Sequence, residues 1–150
     1  MRSDRGFTVA ELVMVTALLA VLAAVALPTG RFMQQREREW ELRLDLRLMR
    51  NAIDDYKRLA DQGMIQVDLG TEGYPKSLED LVEGINMVGQ QTKRKFLRRI
   101  PVDPMTGKTE WGLRSYQDSS DSTSWGGQNV YDVYSVSEGK ALDGTKYKDW

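Results

Sequence analysis

The chain has 150 residues, 41% hydrophobic and 29% charged, with a formal net charge of −1 and a pI of about 5.6. It contains neither cysteine nor histidine. Disulfides and thiol or imidazole catalysis are therefore excluded, and a metal could find only oxygen ligands, which suit a hard ion such as calcium. The near-neutral balance gives nucleic-acid binding no electrostatic support.

Apolar density is concentrated at one end. Residues 1–6 are short and hydrophilic, with Arg2 and Arg5, and Phe7 then opens an apolar run to Leu27 broken only by Glu11 and two threonines. A run of about 21 residues suffices for a helix to cross a hydrocarbon core of roughly 30 Å, and basic residues ahead of it fit the positive-inside rule. A secretory signal peptide cut near Ala26 competes with this reading. Glu11 argues against it, because a carboxylate at mid-membrane costs on the order of 2.5–3.5 kcal/mol and marks a functional residue by default. Either Glu11 stays wet near the positive end of the helix, or it meets a cation.

Arg5-Gly6-Phe7-Thr8-Val9-Ala10-Glu11-Leu12 resembles the type IV prepilin cleavage motif. The resemblance implies that a prepilin peptidase cuts between Gly6 and Phe7 and that Phe7 becomes an N-methylated terminus. It also implies that Glu11 pairs with the terminal amine of an adjacent subunit, which would offset the burial of both charges; a pair within one chain is the plainer alternative. Pro28 closes the run and Gly30 follows, yet helical patterning resumes at once. A kink or a meltable segment within one long helix is expected there.

From Arg31 to about Ala60 there is neither proline nor further glycine, and Glu, Arg, Leu and Gln dominate. Leu42, Leu46, Met49, Ile53, Tyr56 and Ala60 step by four and three, one apolar stripe that should pack on the following domain. Glu39–Arg43 and Asp54–Arg58 are expected i,i+4 pairs, and Gly63 is the expected stop. Met33, Trp40, Leu44 and Leu48 fall roughly opposite. A helix against one small domain needs a single apolar face, so the second stripe reads as a contact surface for neighbouring helices, with Trp40 and Leu44 as assembly residues; scattered surface leucines are the alternative.

Beyond Gly63 the chain breaks into short segments. Ser77 with Asp80 predicts a capped helix over LEDLVEGI. The basic run KRKFLRR from Lys93 to Arg99 could face anionic lipid or simply water. Residues 100–104 should be extended and 105–108 a turn. Glu110–Tyr116 and Val130–Val136 predict strands flanking a polar loop of about a dozen residues. The segment from Ser137 to Trp150 lacks periodicity and must be held by something other than regular structure.

Asp103-Pro104 with Gly107 and Trp111, then Tyr131-Asp132-Val133-Tyr134-Ser135, and the ending Lys148-Asp149-Trp150 resemble the G-type, or major, pseudopilins of type II secretion systems. That resemblance implies an α+β pilin fold: a long N-terminal helix, half transmembrane and half amphipathic, on a small antiparallel sheet with a C-terminal loop. The expected organisation is a leader at 1–6, a transmembrane and filament-core helix at 7–29, an amphipathic helix at 30–62 and a globular domain at 63–150. It also implies calcium in the C-terminal loop, with Asp143 and Asp149, and more weakly Ser137 and Thr145, as ligands. The loop is short, and packing of Trp150 and Leu142 without an ion is the alternative.

The function implied is a structural subunit of the inner membrane, single-pass, with its C-terminal domain in the periplasm. It would polymerise into a homo-oligomeric helical filament that drives protein export, in contact with membrane lipid, minor pseudopilins and an inner-membrane assembly platform. A type IV pilin forming surface fibres is the alternative. Enzymatic activity is not expected: Asp118, Asp121 and Asp132 are carboxylates on or beside a polar loop, with no nucleophile or phosphate-binding motif around them.

Overall fold

A computed structural model of the protein describes residues 8–89 and 92–150, and within the first helix the side chains of 25–29 are not described. These residues divide into two compact units, one ending at Glu37 and the other running from Arg38 to Trp150. The helix α1 (Val9–Asp61) contributes to both. Its backbone is helical through Pro28 and Gly30.

In the first unit, the described side chains from Thr8 to Ala24 are exposed, with Val9 at 79% and Met14 at 67%. Among the described residues no helix is long and apolar enough to cross a membrane. The apolar run read from the sequence begins at Phe7, outside the described residues, and ends at 25–27, where the side chains are not described.

In the second unit the 3.6-residue period becomes burial. Leu42, Leu46, Met49, Ile53, Tyr56 and Ala60 are all buried, whereas Trp40, Leu44 and Leu48 stand exposed, Trp40 at 68%. Burial pushes the Tyr56 phenol up to about 12, because the charged form would have to sit in the core. α1 ends on the expected glycine. Gly63 adopts φ 68°, its N–H donates to the Ala60 carbonyl at 2.9 Å, and the Met64 N–H donates to the Leu59 carbonyl at 2.9 Å. That pair of bonds is a Schellman termination. Of the two helix-surface pairs expected from spacing, Arg58 instead bonds Asp55, one turn back at i−3, and Arg43 and Glu39 reach the C-terminal segment, as described below.

α2 (Leu78–Glu83) is shorter than its apolar pattern suggests. The Asp80 carboxylate accepts the Ser77 and Lys76 N–H groups at its start. At its end Gly84 takes φ 82°, where a Cβ would press on the Arg94 backbone. This close approach brings β1 (Ile85–Asn86) beside β2 (Lys93–Arg94) in an antiparallel pair that no alternation signalled. In the basic run Lys93, Arg94, Lys95, Arg98 and Arg99 are exposed, while Leu97 is buried. Phe96 and Leu97 both donate their N–H to the Leu81 carbonyl, and Phe96 lies 5.5 Å from the Tyr56 ring. The cations are therefore a solvated fringe on an anchored segment.

β3 (Trp111–Arg114) and β4 (Asp132–Ser135) pair antiparallel, with Gly112 opposite Tyr134 and Leu113 opposite Val133. Both are shorter than the sequence suggests, and the sheet is two separate two-stranded ladders. Trp111, Leu113 and Val133 join the core that α1 organises. The opposite face carries Gly112, Tyr134, Arg114 and Asp132, by the alternation of a pleated strand. The polar loop between the strands folds back on this face: Tyr134 Oη donates to the Thr123 carbonyl at 3.1 Å and Arg114 Nε to the Ser122 carbonyl at 2.9 Å. The observed architecture is thus α+β, a long helix packed on a small antiparallel sheet, consistent with the pilin fold expected above.

Gly112 is required because its missing side chain is where the Tyr134 ring lies. Gly112→Ala should destabilise the protein by about 1–3 kcal/mol through overpacking, and Ile53→Ala by about 2–5 kcal/mol through cavity formation. Urea unfolding of the full chain in detergent measures both. A Gly112→Ala midpoint equal to that of the parent would show that the ring is not held against this backbone.

Candidate functional site

Most of the described residues singled out from the sequence fall in three places. At the start of α1, Glu11 closes a capping box. Its Oε2 accepts the Thr8 N–H at 2.9 Å and the Thr8 hydroxyl at 3.0 Å, and its own N–H donates to Thr8 Oγ1 at 3.3 Å. This local role is legible in the sequence as Thr8-x-x-Glu11. Gly6 and Phe7 lie outside the described residues.

On the second unit's part of α1, Trp40, Leu44 and Leu48 follow one another at four-residue steps and are each at least half exposed. Helical geometry puts them on one face.

The third place is the C-terminal segment, where side chains of α1 meet irregular backbone. Ala141 and Tyr147 are buried, and a short 3-10 turn (Tyr147–Asp149) ends the segment. Glu39, itself buried, accepts the Leu142 N–H at 2.9 Å and the Tyr147 hydroxyl at 3.0 Å on the same oxygen. Leu142 is therefore tied by its backbone and keeps its side chain exposed, unlike the packed Leu142 of the ion-free alternative. Arg50 donates to the Trp150 carbonyl at 2.8 Å, to the Val133 carbonyl at 3.1 Å and to Asp132 at 2.6 Å. Asp132 also meets Arg114 at 3.3 Å. Arg114 is almost fully buried, donates to the Lys148 carbonyl at 3.2 Å, and lies 4.2 Å from the centroid of the Tyr134 ring.

The residues implied for calcium do not form a cage. Asp143 and Thr145 come together, since Thr145 donates its hydroxyl and N–H to Asp143 Oδ1 at 2.6 and 2.9 Å. These bonds, the hydroxyl's first, hold the Asp143 carboxyl below the usual carboxylate range. Its other oxygen faces the Arg43 guanidinium at 3.5 Å. Ser137 accepts the Gly139 N–H, and Asp149 is exposed on the 3-10 turn. Among the described residues no three acidic side chains converge. A carboxylate already satisfied by a hydroxyl, an amide and a guanidinium, without a second carboxylate beside it, does not fit a calcium ion, which takes 6–8 oxygens.

Of the acids on or beside the polar loop, Asp121 is exposed, whereas Asp118 and Asp132 are engaged, as is Asp103 further back. Asp118 accepts the Ser115 N–H at 2.7 Å and the Gly126 N–H at 3.0 Å, and these backbone bonds lower its pKa, Ser115's most. Asp118 and Asp132 line one cavity of about 430 Å³, with Arg50 and Arg114 among its walls. Asp103, fully buried, accepts the Ser135 hydroxyl at 2.6 Å and the Met105 N–H at 2.7 Å, so the Asp-Pro turn is stitched to β4. The pairings of Arg50, Arg114, Asp103 and Glu39 were missed from sequence. Apart from the Met105 amide beside Asp103 and the Ser122 carbonyl that Arg114 takes, their partners lie 18 or more residues away, and no spacing rule reaches them.

No family model and no solved structure matches the chain. The chain is similar to the type II secretion system core protein G of Escherichia coli (strain K12), with 27% identity over 107 residues, covering 67% of this chain and 66% of that protein. The match thus spans just under two thirds of the relative's length. The relationship to G-type pseudopilins read from the sequence motifs is borne out by it.

Asp132 neutralises two arginines, one of them buried. Asp132→Asn should lower stability by about 1–3 kcal/mol, the range for a charged hydrogen-bond partner lost from a half-buried site, and should accelerate amide exchange in β4 and around Trp150 together. A loss confined to β4 would separate the network from the C-terminal segment and contradict the geometry.

Proposed function

We propose that this protein is a structural pseudopilin, a subunit that polymerises into the periplasmic filament of a type II secretion system and so drives protein export. The observation that carries this reading is the unburied apolar surface of α1. The described side chains from Thr8 to Ala24 in one unit, and Trp40, Leu44 and Leu48 in the other, are exposed in the single chain. Apolar surface exposed in each unit in this way calls for lipid or protein to cover it. Lipid is its environment before assembly, in an inner-membrane single-pass arrangement with the C-terminal unit in the periplasm. Other copies of the chain cover it in the filament. The similarity to a type II secretion core protein supports the same reading.

In this scheme a prepilin peptidase cuts between Gly6 and Phe7 and the Phe7 amine is methylated. The cationic amine of one subunit then meets Glu11 of its neighbour, and minor pseudopilins and an assembly platform in the membrane initiate and drive the polymer. The chain acts as a building block and performs no chemistry of its own.

Intact-mass analysis of the protein purified from an expressing secretion strain should find a chain beginning at methylated Phe7. Retention of Met1, or a start near residue 27, would sink this reading.

Trp40→Ala alters an exposed site, so melting should stay within about 0.5 kcal/mol of the parent, while the yield of cross-linked filament should fall severalfold. Unimpaired filaments would remove Trp40 from the assembly surface.

Glu11→Gln separates charge from capping, because glutamine also serves the last position of a capping box. Membrane insertion and cleavage should persist and filament yield should collapse, since breaking a buried pair from one side costs roughly 3–5 kcal/mol. Normal filaments from this variant would leave Glu11 with its capping role alone.

A further inference from the structure

The C-terminal segment closes a circuit of side chains that has no part in the assembly reading above. Arg43 on α1 places its guanidinium 3.5 Å from Asp143 Oδ2 and 4.1 Å from the centroid of the Trp150 ring. Trp150 donates its indole N–H to Thr145 Oγ1 at 2.7 Å. Thr145 in turn donates the same hydroxyl and its N–H to Asp143 Oδ1 at 2.6 and 2.9 Å. The chain of contacts runs from Arg43 to Asp143, Thr145, Trp150 and back to Arg43. The polar roles around it are consistent: the carboxylate accepts throughout, the hydroxyl donates once and accepts once, and the indole donates.

Around this circuit the backbone is tied down independently. Glu39 takes the Leu142 N–H, Arg50 the Trp150 carbonyl, and Arg114 the Lys148 carbonyl. The Tyr147 ring meets Trp150 edge-on at 5.3 Å. Within the loop, Ala141 donates to the Thr145 carbonyl at 2.8 Å, which fixes the span that carries Asp143.

We infer that the Arg43 guanidinium, covered by Trp150, organises the C-terminal loop in the place a metal cation would take, and that the loop of this chain is ordered without calcium. A guanidinium suits the position: it is permanently charged, and its flat face stacks on an indole while its edge donates to the carboxylate. A calcium ion here would have to displace it and still find most of its oxygens elsewhere.

Each contact is modest. Arg43 and Asp143 are both about half exposed, at 53%, and such pairs are weak singly. The order of the loop therefore depends on their acting together, and removing the central cation should be felt at all of them. Lysine keeps the charge but has no plane to stack, so it distinguishes a guanidinium-specific role from simple charge balance.

The test is melting and hydrogen exchange of the full-length protein in detergent, with a few millimolar calcium chloride or with chelator, for the parent, Arg43→Gln and Arg43→Lys. The parent should melt identically in both buffers. Arg43→Gln should lower the Tm by about 2–4 °C, the shift expected for loss of one such interaction in a chain of this size. Its fastest-growing exchange should be at the Leu142 and Thr145 amides, and Arg43→Lys should recover only part of the loss. A parent Tm raised by calcium would overturn the inference. So would an Arg43→Gln protein whose Leu142 and Thr145 amides are as protected as the parent's.

Discussion

Neither β ladder of this protein can stand by itself. One has strands of two residues and the other strands of four, and a two-stranded ribbon in water is marginal without a surface to pack on. That surface is the buried face of α1. Leu42, Leu46, Met49, Ile53, Tyr56 and Ala60 form a stripe about five turns long, and other segments of the unit bury side chains in the same core. α2 brings Leu78 and Leu81, the segment after β2 brings Leu97, the main ladder brings Trp111 and Val133, and the C-terminal segment brings Ala141 and Tyr147. The helix is the template, and the rest of the unit condenses on it.

A fold with so little regular structure must satisfy its backbone by other means, since an unpaired buried amide or carbonyl costs about as much as a lost hydrogen bond. Long charged side chains fill this role. Arg50 and Arg114 between them take the carbonyls of Ser122, Val133, Lys148 and Trp150. Glu39, Asp103 and Asp118 take amides of Leu142, Met105, Ser115 and Gly126. Charge that would read as surface solubility in a larger domain here replaces missing strands.

The same helix has two faces with different obligations. One is satisfied within the chain. The other, around Trp40, Leu44 and Leu48, is not, and the apolar side chains near the N-terminus are uncovered as well. The core of the second unit is complete without the exposed stripe.

From the sequence alone came the long helix, its buried stripe, its stop at Gly63, the capped second helix, the positions of the two main strands and the relationship to G-type pseudopilins. Each of these is local: it follows from the period of apolar residues, the conformations open to glycine and proline, or a short motif. The sequence could not indicate the small ladder after Gly84, which alternation in two residues cannot signal. It also could not indicate that the loop between the strands covers their outer face, or that Asp103, Arg114 and Glu39 are buried. Nor could it show that Arg43 reaches Asp143 a hundred residues on, where spacing pointed to a neighbour on the same helix. Only the folded chain decides these pairings, because a charged side chain has several partners within reach in sequence and takes the one that packing brings beside it.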